Sequence, residues 1–416
     1  MNFERLRALL LEQAIRGELV EQQARDSAVL VVDGVLPKES YPFEIPDHWK
    51  WYPLGKIVEY GKGTHIGSGE ISETTWVLDL EDIEKGTGRL LNKKRGTPTT
   101  SNKTKFCKGD VLYGKLRPYL NKVLVADEDG VCTTEIVPIR VVTAKLPLLA
   151  EYLQSYLMSP FFLDYANKIS YGVKMPRLGT KDAKADLIPV PPIEEQTRIV
   201  TKLDEAFAEI DRAEKAYEEL QTLAGVLRGQ ILQEAIQGKL VPQMAEEGVV
   251  EQIGAAPEEV PFEIPESWRW VKLKSVFSMQ AGKFISASSI QPEGRFPCYG
   301  GNGLRGYVDI SNRKGRFPLI GRQGALCGNV HVVGGEFYAT EHAVVVDCGE
   351  YGDPDCVGLF LEAMNLNQYA TATAQPGLSV KKIIELPFPL PPKDEQVRIV
   401  SKVKDLMKQV DALSAR

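Results

Sequence analysis

The sequence predicts an α/β protein: two globular α/β regions separated by a long antiparallel pair of coiled-coil-like helices, with a pseudo-twofold internal repeat. Three observations carry this. Residues 188–203 read IPVPPIEEQTRIVTKL and residues 388–403 read FPLPPKDEQVRIVSKV, an offset of 200. LLEQAIRGELVEQ (10–22) matches ILQEAIQGKLVPQ (231–243) at an offset of 221, and PFEIPDHWKW (42–51) matches PFEIPESWRW (261–270) at an offset of 219. In one run, 193–237, apolar residues recur in steps of three and four, the signature of a helical seam.

The repeats fix the chain's organisation, because self-similarity at fixed spacing marks a repeated structural unit. Segment 191–243 holds both halves of one helical unit. The other unit is split between the two chain ends, so the chain reads as a nearly closed ring. The offsets leave a gap of five positions, 217–221, without counterpart between Arg416 and Met1.

The seam of 193–237 runs through Ile199, Leu203, Phe207, Ile210, Ala213, Tyr217, Leu220, Ala224, Leu227 and Ile231. Pro191 and Pro192 block helix before it, and Glu194 and Glu195 suit its first turn. Gly238 is placed to cap its end. Gly225 and Gly229 interrupt it and mark either a close helix crossing or a bend. A rod of this length needs a partner for its seam. Residues 393–413 and 3–16 carry the same pattern in two pieces, and twofold-related pieces pair antiparallel.

The two regions between the helices have short β-type runs (123–125, 137–142, 343–346) and Gly-rich turns. Each closes on a helix-like stretch, 147–168 and 355–371. They are weakly alike. YGKLRPYLNKV (113–123) lies opposite IGRQGALCGNV (320–330) at an offset of 207, and Pro176 and Leu178 precede Pro376 and Leu378 by 200.

Composition is ordinary for a folded chain, with 43% hydrophobic and 25% charged residues. No apolar run reaches the length of a membrane span, and the first residues do not read as a secretory signal, so a cytoplasmic location is expected. The six cysteines form no Cys-x-x-Cys pair and read as reduced, buried residues. The net charge is −6, unevenly spread: residues 191–260 hold 6 basic and 15 acidic side chains, residues 40–190 hold 21 and 18, and residues 261–390 hold 12 of each. A solvated acidic rod accounts for this, and so does a rod that binds proteins beside cationic regions that face nucleic acid.

The candidate DNA contacts are basic clusters. In the first region they are Lys93, Lys94 and Arg95 with Lys103 and Lys105, then Lys115 and Arg117, then Lys174 and Arg177. In the second they are Arg313, Lys314 and Arg316, then Arg322 and Gln323, then Lys381 with Lys382. Lys and Arg neutralise phosphates, and Arg and Gln can also bond base edges with two hydrogen bonds. Gly321-Arg322-Gln323-Gly324 is the most pointed of these, because its glycines let the backbone approach a ligand closely.

Catalytic patterns are missing. There is no phosphate-binding Gly-x-x-x-x-Gly-Lys-Ser/Thr loop, Gly-x-Ser-x-Gly elbow or His-Glu-x-x-His. Gly301 to Gly306 spell Gly-x-Gly-x-x-Gly, but a β-like run follows where a cofactor loop needs a helix. An amino-methyltransferase would need Asn/Asp-Pro-Pro-aromatic, and neither Pro-Pro pair has it. Glu341 beside His342 reads as a structural pair.

The twice-occurring Pro-Pro-x-(Glu/Asp)-Glu-Gln-x-Arg-Ile-Val (191–200, 391–400), Ala-Ile-x-Gly-x-Leu-Val (14–20, 235–241) and Gly-Arg-Gln-Gly (321–324) together resemble the specificity subunit of type I restriction–modification enzymes, over essentially the whole chain. The resemblance implies five segments: 1–39 as the N-terminal part of the conserved helical region, 40–190 as target-recognition domain 1, 191–260 as the central helical spacer, 261–390 as target-recognition domain 2, and 391–416 as the C-terminal conserved helix. It implies a non-catalytic chain that binds double-stranded DNA at a split, asymmetric site. Two methyltransferase subunits would dock on it, and two restriction–translocase subunits could join. S-adenosylmethionine, Mg²⁺ and ATP would sit on those partners, leaving no cofactor or metal here. The helical pair would set the distance between half-sites. The first domain carries Gly114-Lys115-Leu116-Arg117 where the family pattern is Gly-Arg-Gln-Gly, so shared contacts are not implied for both domains. A DNA-modifying enzyme in its own right and a coiled-coil scaffold without DNA are the alternatives.

Overall fold

A computed structural model describes residues 2–24, 26–67, 70–96, 102–142, 146–324, 326–370 and 376–414. It divides into two compact units, 1–216 and 217–416. The gap between Arg416 and Met1 lies outside the described residues.

In the first unit the chain runs α1 (Phe3–Arg16), β1 (Lys50–Pro53), α2 (Leu54–Ile57), β2 (Val58–Tyr60), β3 (His65–Ile66), β4 (Trp76–Leu78), β5 (Lys94–Arg95), β6 (Lys103–Phe106), β7 (Val111–Gly114), β8 (Val123–Val125), β9 (Gly130–Thr133), β10 (Ile136–Val141), α3 (Ala150–Met158), α4 (Pro160–Ile169), α5 (Thr180–Ala185), β11 (Leu187–Val190) and the start of α6 (Ile193–Ile236). Its strands form sheets in the orders β2-β10-β7-β8, β3-β6-β9-β4-β5 and β1-β11. The main core lies between the first of these and helices α1, α3, α4 and the start of α6. The helix-like stretch expected at 147–168 is two helices, because Ser159-Pro160 breaks it and the Ser159 hydroxyl accepts the Phe162 N–H.

The second unit completes α6 and continues with β12 (Arg269–Lys272), α7 (Leu273–Val276), β13 (Ser278–Ala281), β14 (Phe296–Gly300), β15 (Gly303–Val308), β16 (Arg313–Gly321), β17 (Val330–Ala339), β18 (Ala343–Asp347), α8 (Pro354–Ala363), α9 (Val380–Ile383), β19 (Pro387–Leu390) and α10 (Lys393–Ser414). One six-stranded sheet runs β13-β18-β16-β17-β14-β15, beside a β12-β19 pair. Gly300 to Gly303 form the β14–β15 hairpin turn, so the Gly-x-Gly-x-x-Gly run is no cofactor loop. The stretch expected to be helical over 355–371 ends as α-helix at Ala363.

Each unit holds an antiparallel helix pair. In the first, Arg7 of α1 meets Asp211 and Glu214 of α6 and lies over the Phe207 ring, while Leu11, Ala14 and Ile15 share a core with Ile199 and Leu203. In the second, Gln221 donates to the Ser414 carbonyl (2.9 Å) and Arg228 pairs with Asp411, while Ala224 and Ile231 share a core with Ile399, Val403 and Val410. The seam is not buried throughout: Ala213 and Leu227 are exposed. A Cβ added at Gly225 or Gly229 would meet nothing within 4 Å, so neither marks a close crossing. Gly17 and Gly238 both end their helices in left-handed conformations (φ +78° and +69°), where a side chain would be strained and where a Cβ would strike Pro46 or Pro265.

The repeated Glu-Gln-x-Arg motif is a latch between each helix and its globular core. Glu195 accepts the Trp49 indole N–H (2.9 Å), and Glu395 accepts that of Trp268 (2.9 Å). Gln196 accepts the Leu149 N–H and donates to the carbonyls of Pro147 and Pro191; Gln396 repeats this with Asp353, Tyr351 and Pro391. Arg198 grips Asp26 and Arg398 grips Glu247 with two bonds each. Glu195, Gln196, Glu395 and Gln396 are buried, so their pairing avoids a desolvation cost of roughly 1–3 kcal/mol per group.

Candidate nucleic-acid interface

The clearest candidate surface occurs twice, built from two loops in each unit. In the first unit, the loop after β7 is closed at its base by the Gly114 N–H donating to the Lys122 carbonyl (2.9 Å). In the second, Gly321 donates to Asn329 in the same way (2.9 Å). A second segment then pairs against this loop. Arg117 N–H donates to Pro176 O (2.7 Å) and Leu178 N–H to Lys115 O (3.1 Å). Their counterparts are Gly324 to Pro376 (3.0 Å) and Leu378 to Arg322 (2.8 Å). Leu116 bridges Arg177 where Gln323 bridges Gly377. Every pair keeps the offsets of 207 and 200.

The departure at Gly114-Lys115-Leu116-Arg117 is therefore one of side chains and not of backbone. Arg117 takes φ +53° where the second unit has Gly324 at +90°, and Asn121 takes +48° where it has Gly328 at +94°. A non-glycine residue held in this region is uncommon, and here the paired segment over-determines it.

Backbone pairing brings Lys115 and Arg117 beside Arg177 in the first unit, and Arg322 and Gln323 beside Gly377 and Leu378 in the second; Lys174 and Lys381 lie three residues along the chain from Arg177 and Leu378. Among the described residues no ion pair engages Lys115, Arg117, Lys174, Arg322 or Lys381. The Nε atoms of Arg117 and Arg322 are buried without a hydrogen-bond partner there. Arg322 Nη1 makes only a long bond to the Glu341 carbonyl (3.4 Å). Arg177 differs: it forks onto Glu135, which holds the guanidinium's pKa above its ordinary value. Glu341 and His342, 3.2 Å apart, form the structural pair their adjacency suggests, at the edge of the second loop.

The remaining basic clusters are elsewhere and mostly neutralised. Lys93 pairs with Asp127 (2.8 Å) and lies over the Trp76 ring. Lys94 is held between Glu81 and Asp82, and the hydrogen bonds its ammonium donates to Asp82 and Glu81 raise its pKa. Arg95 pairs with Glu128. Lys103 points inward: its side chain is 5% exposed and bonded to Asp79 (2.7 Å), so it is a structural cation and not a surface contact. Lys105 is exposed on β6. In the second unit Lys314 pairs with Glu336 and Arg316 with Asp355, while Arg313 donates to the Asn312 carbonyl. Burial raises the Asp355 carboxyl, but Arg316 and Lys404 more than offset it and hold its pKa low. Counting charges along the sequence could not separate these paired cations from free ones.

Sequence reasoning also missed residues. Lys181, exposed at the start of α5, is the counterpart of Lys381 at an offset of 200. Of the cysteines, all free, five are buried as expected but Cys107 is exposed. Among the described residues no helix is long and apolar enough to cross a membrane.

A family model described as the type I restriction modification DNA specificity domain matches residues 46–222 and 265–416. The EcoprrI specificity subunit of Escherichia coli is 48% identical over 133 residues, covering 31% of this chain and 33% of that protein. The EcoDI specificity subunit of the same organism is 28% identical over 248 residues, 58% of this chain and 54% of that one. The chain thus spans about a third to a half of the length of these relatives. The EcoEI specificity subunit aligns over 100% of this chain and 91% of its own length at 21% identity. Among solved structures, a chain from a type I R-M system assembly matches with a TM-score of 0.72 at 22% identity, over 90% of this chain and 94% of that one. The HsdS subunit of Thermoanaerobacter tengcongensis matches at 0.57 and 20%, over 90% and 93%. At these identities the structures support the fold.

Proposed function

We propose that this chain, which belongs to the type I restriction modification DNA specificity family, is the sequence-reading subunit of a type I restriction–modification complex and reads a bipartite, asymmetric DNA site. The observation that carries this is the duplicated loop pair. Two surfaces share one backbone frame but present different side chains: Lys115, Leu116 and Arg117 in one, Arg322, Gln323 and Gly324 in the other. One frame with two side-chain sets suits two different half-sites. Arg322 and Gln323 are side chains able to bond base edges, while Lys115, Lys174, Lys181 and Lys381 suit phosphates.

The chain supplies recognition and no catalysis. The methyltransferase and restriction subunits bring S-adenosylmethionine, Mg²⁺ and ATP, and the assembly works in the cytoplasm. The helices offer the docking surface. Leu6 and Leu9 on α1, Leu223, Val226 and Leu227 on α6, and Val397 and Leu413 on α10 are large apolar side chains left 41–65% exposed. We propose that these side chains are where partner subunits dock on each unit's helices. The helices also set the spacing between half-sites.

The test is selection of bound duplexes from a random library by the full chain with the methyltransferase subunit of its own system. Two short conserved blocks separated by a fixed unspecified spacer are expected. A single contiguous motif, or no enrichment, contradicts the proposal. Lys115→Ala should weaken binding to specific and random DNA alike and lower the salt slope by about one.

A further inference from the structure

Tyr119 and Leu326 occupy the same position in the two loops, at an offset of 207, and both are large apolar side chains left half exposed (52% and 49%). The local backbone explains why they face outward. Leu120 N–H donates to Arg117 O (2.9 Å) and Cys327 N–H to Gly324 O (3.0 Å), so each residue is the third of a hydrogen-bonded turn. The fourth residue of that turn packs inward: Cys327 is 1% exposed and Leu120 is partly covered. The side chains themselves are unrelated, an aromatic phenol and a branched alkyl group. What the two units share is an apolar group at the tip of a loop whose own cations, Lys115 and Arg117 in one and Arg322 in the other, have no ion-pair partner among the described residues.

A polyanion drawn to those cations brings its grooves against the loop tip. An apolar side chain there gains nothing from phosphate. In the major groove the one apolar group on a base edge is the C5-methyl of thymine. We propose that Tyr119 and Leu326 are specificity-determining residues, each reading a thymine methyl in its own half-site. This rests on the DNA-reading function proposed above and adds which base feature each loop recognises.

The test replaces each thymine of the selected duplex singly by uracil, which removes the methyl and keeps the pairing edge. The wild-type full chain with its methyltransferase subunit should bind about fourfold more weakly at one uracil position in each half-site, the worth of one buried methyl-sized group. Leu326→Ala should cost a similar factor and abolish the sensitivity at one half-site only. Tyr119→Ala should do the same at the other. Neither should change the salt slope, which separates an apolar contact from a phosphate contact. The wild-type scan stands without any variant: no methyl sensitivity in either half-site overturns the inference. So does full retention of that sensitivity in both alanine variants. Failure of the wild type to select any duplex would instead overturn the underlying reading.

Discussion

Asp186 is an ionisable side chain where the other unit has a hydrocarbon. Its carbonyl accepts the Leu54 N–H (2.7 Å), as the Leu386 carbonyl accepts that of Leu273 (3.1 Å), so the backbones correspond. The fold therefore does not require an acid there. Burial pushes the Asp186 carboxyl up to about 7, although the Tyr156 hydroxyl donates to it (2.7 Å). The folded state holds this proton more tightly than the unfolded state, whose aspartate ionises near its ordinary value of 3.8. Stability is therefore full at about pH 4 and falls as pH rises to about 7, by on the order of 2–4 kcal/mol, and this effect is flat above that. Asp186→Asn cannot ionise. Melting curves between pH 4 and 8 should show the decline in the wild type and a flatter profile in the variant; parallel profiles would contradict this. The latch makes a second residue-level prediction. Gln396→Ala strands the Asp353 N–H and two carbonyls, and should cost about 2–4 kcal/mol, read as a drop in the denaturation midpoint. A loss under 0.5 kcal/mol would mean that the latch is not needed.

The long helices and the strands at 123–125, 137–142 and 343–346 are legible in the sequence; the helix breaks within 147–168 and 355–371 and the order of strands in the sheets are not. The span of α6 is written in apolar steps of three and four and its end in Gly238, which place its bounds to within a residue, although Ala213 and Leu227 of the seam stay exposed. A six-stranded order of β13-β18-β16-β17-β14-β15 joins strands far apart in the chain, and no local pattern encodes it. The same distance hid the charge pairing: Lys93 meets Asp127 34 residues on, and Lys103 meets Asp79 24 residues back. The sequence alone allows a crossing or a bend at the glycines of α6, and open space around both removes the crossing. Helix interiors without steric demand favour alanine. Gly225→Ala with Gly229→Ala should stabilise the chain by about 1–2 kcal/mol in all. An unchanged or lowered midpoint would show that these positions serve something other than the helix.

At the scale of the whole molecule, the repeat found by offset arithmetic is the organising fact. The helix motifs repeat at 200 and 221, and the weaker likeness at 207 between the globular regions proved to align a hydrogen-bonded loop to the residue. That likeness located the paired surface better than clusters of basic residues did, because backbone register persists where side chains diverge. The central consequence of the proposed function is independence: two loops of one frame, each proposed to read its own half of one site. The most direct measurement is methylation mapping in one host carrying either the wild-type chain or the Arg322→Ala, Gln323→Ala double variant with the same methyltransferase. The wild type should mark a motif of two blocks. The variant should keep one block and the spacer intact while the other block loses specificity at one or two positions, by roughly 1–3 kcal/mol each. If both blocks degrade together, or if neither changes, the two loops are not separate readers and the account is wrong.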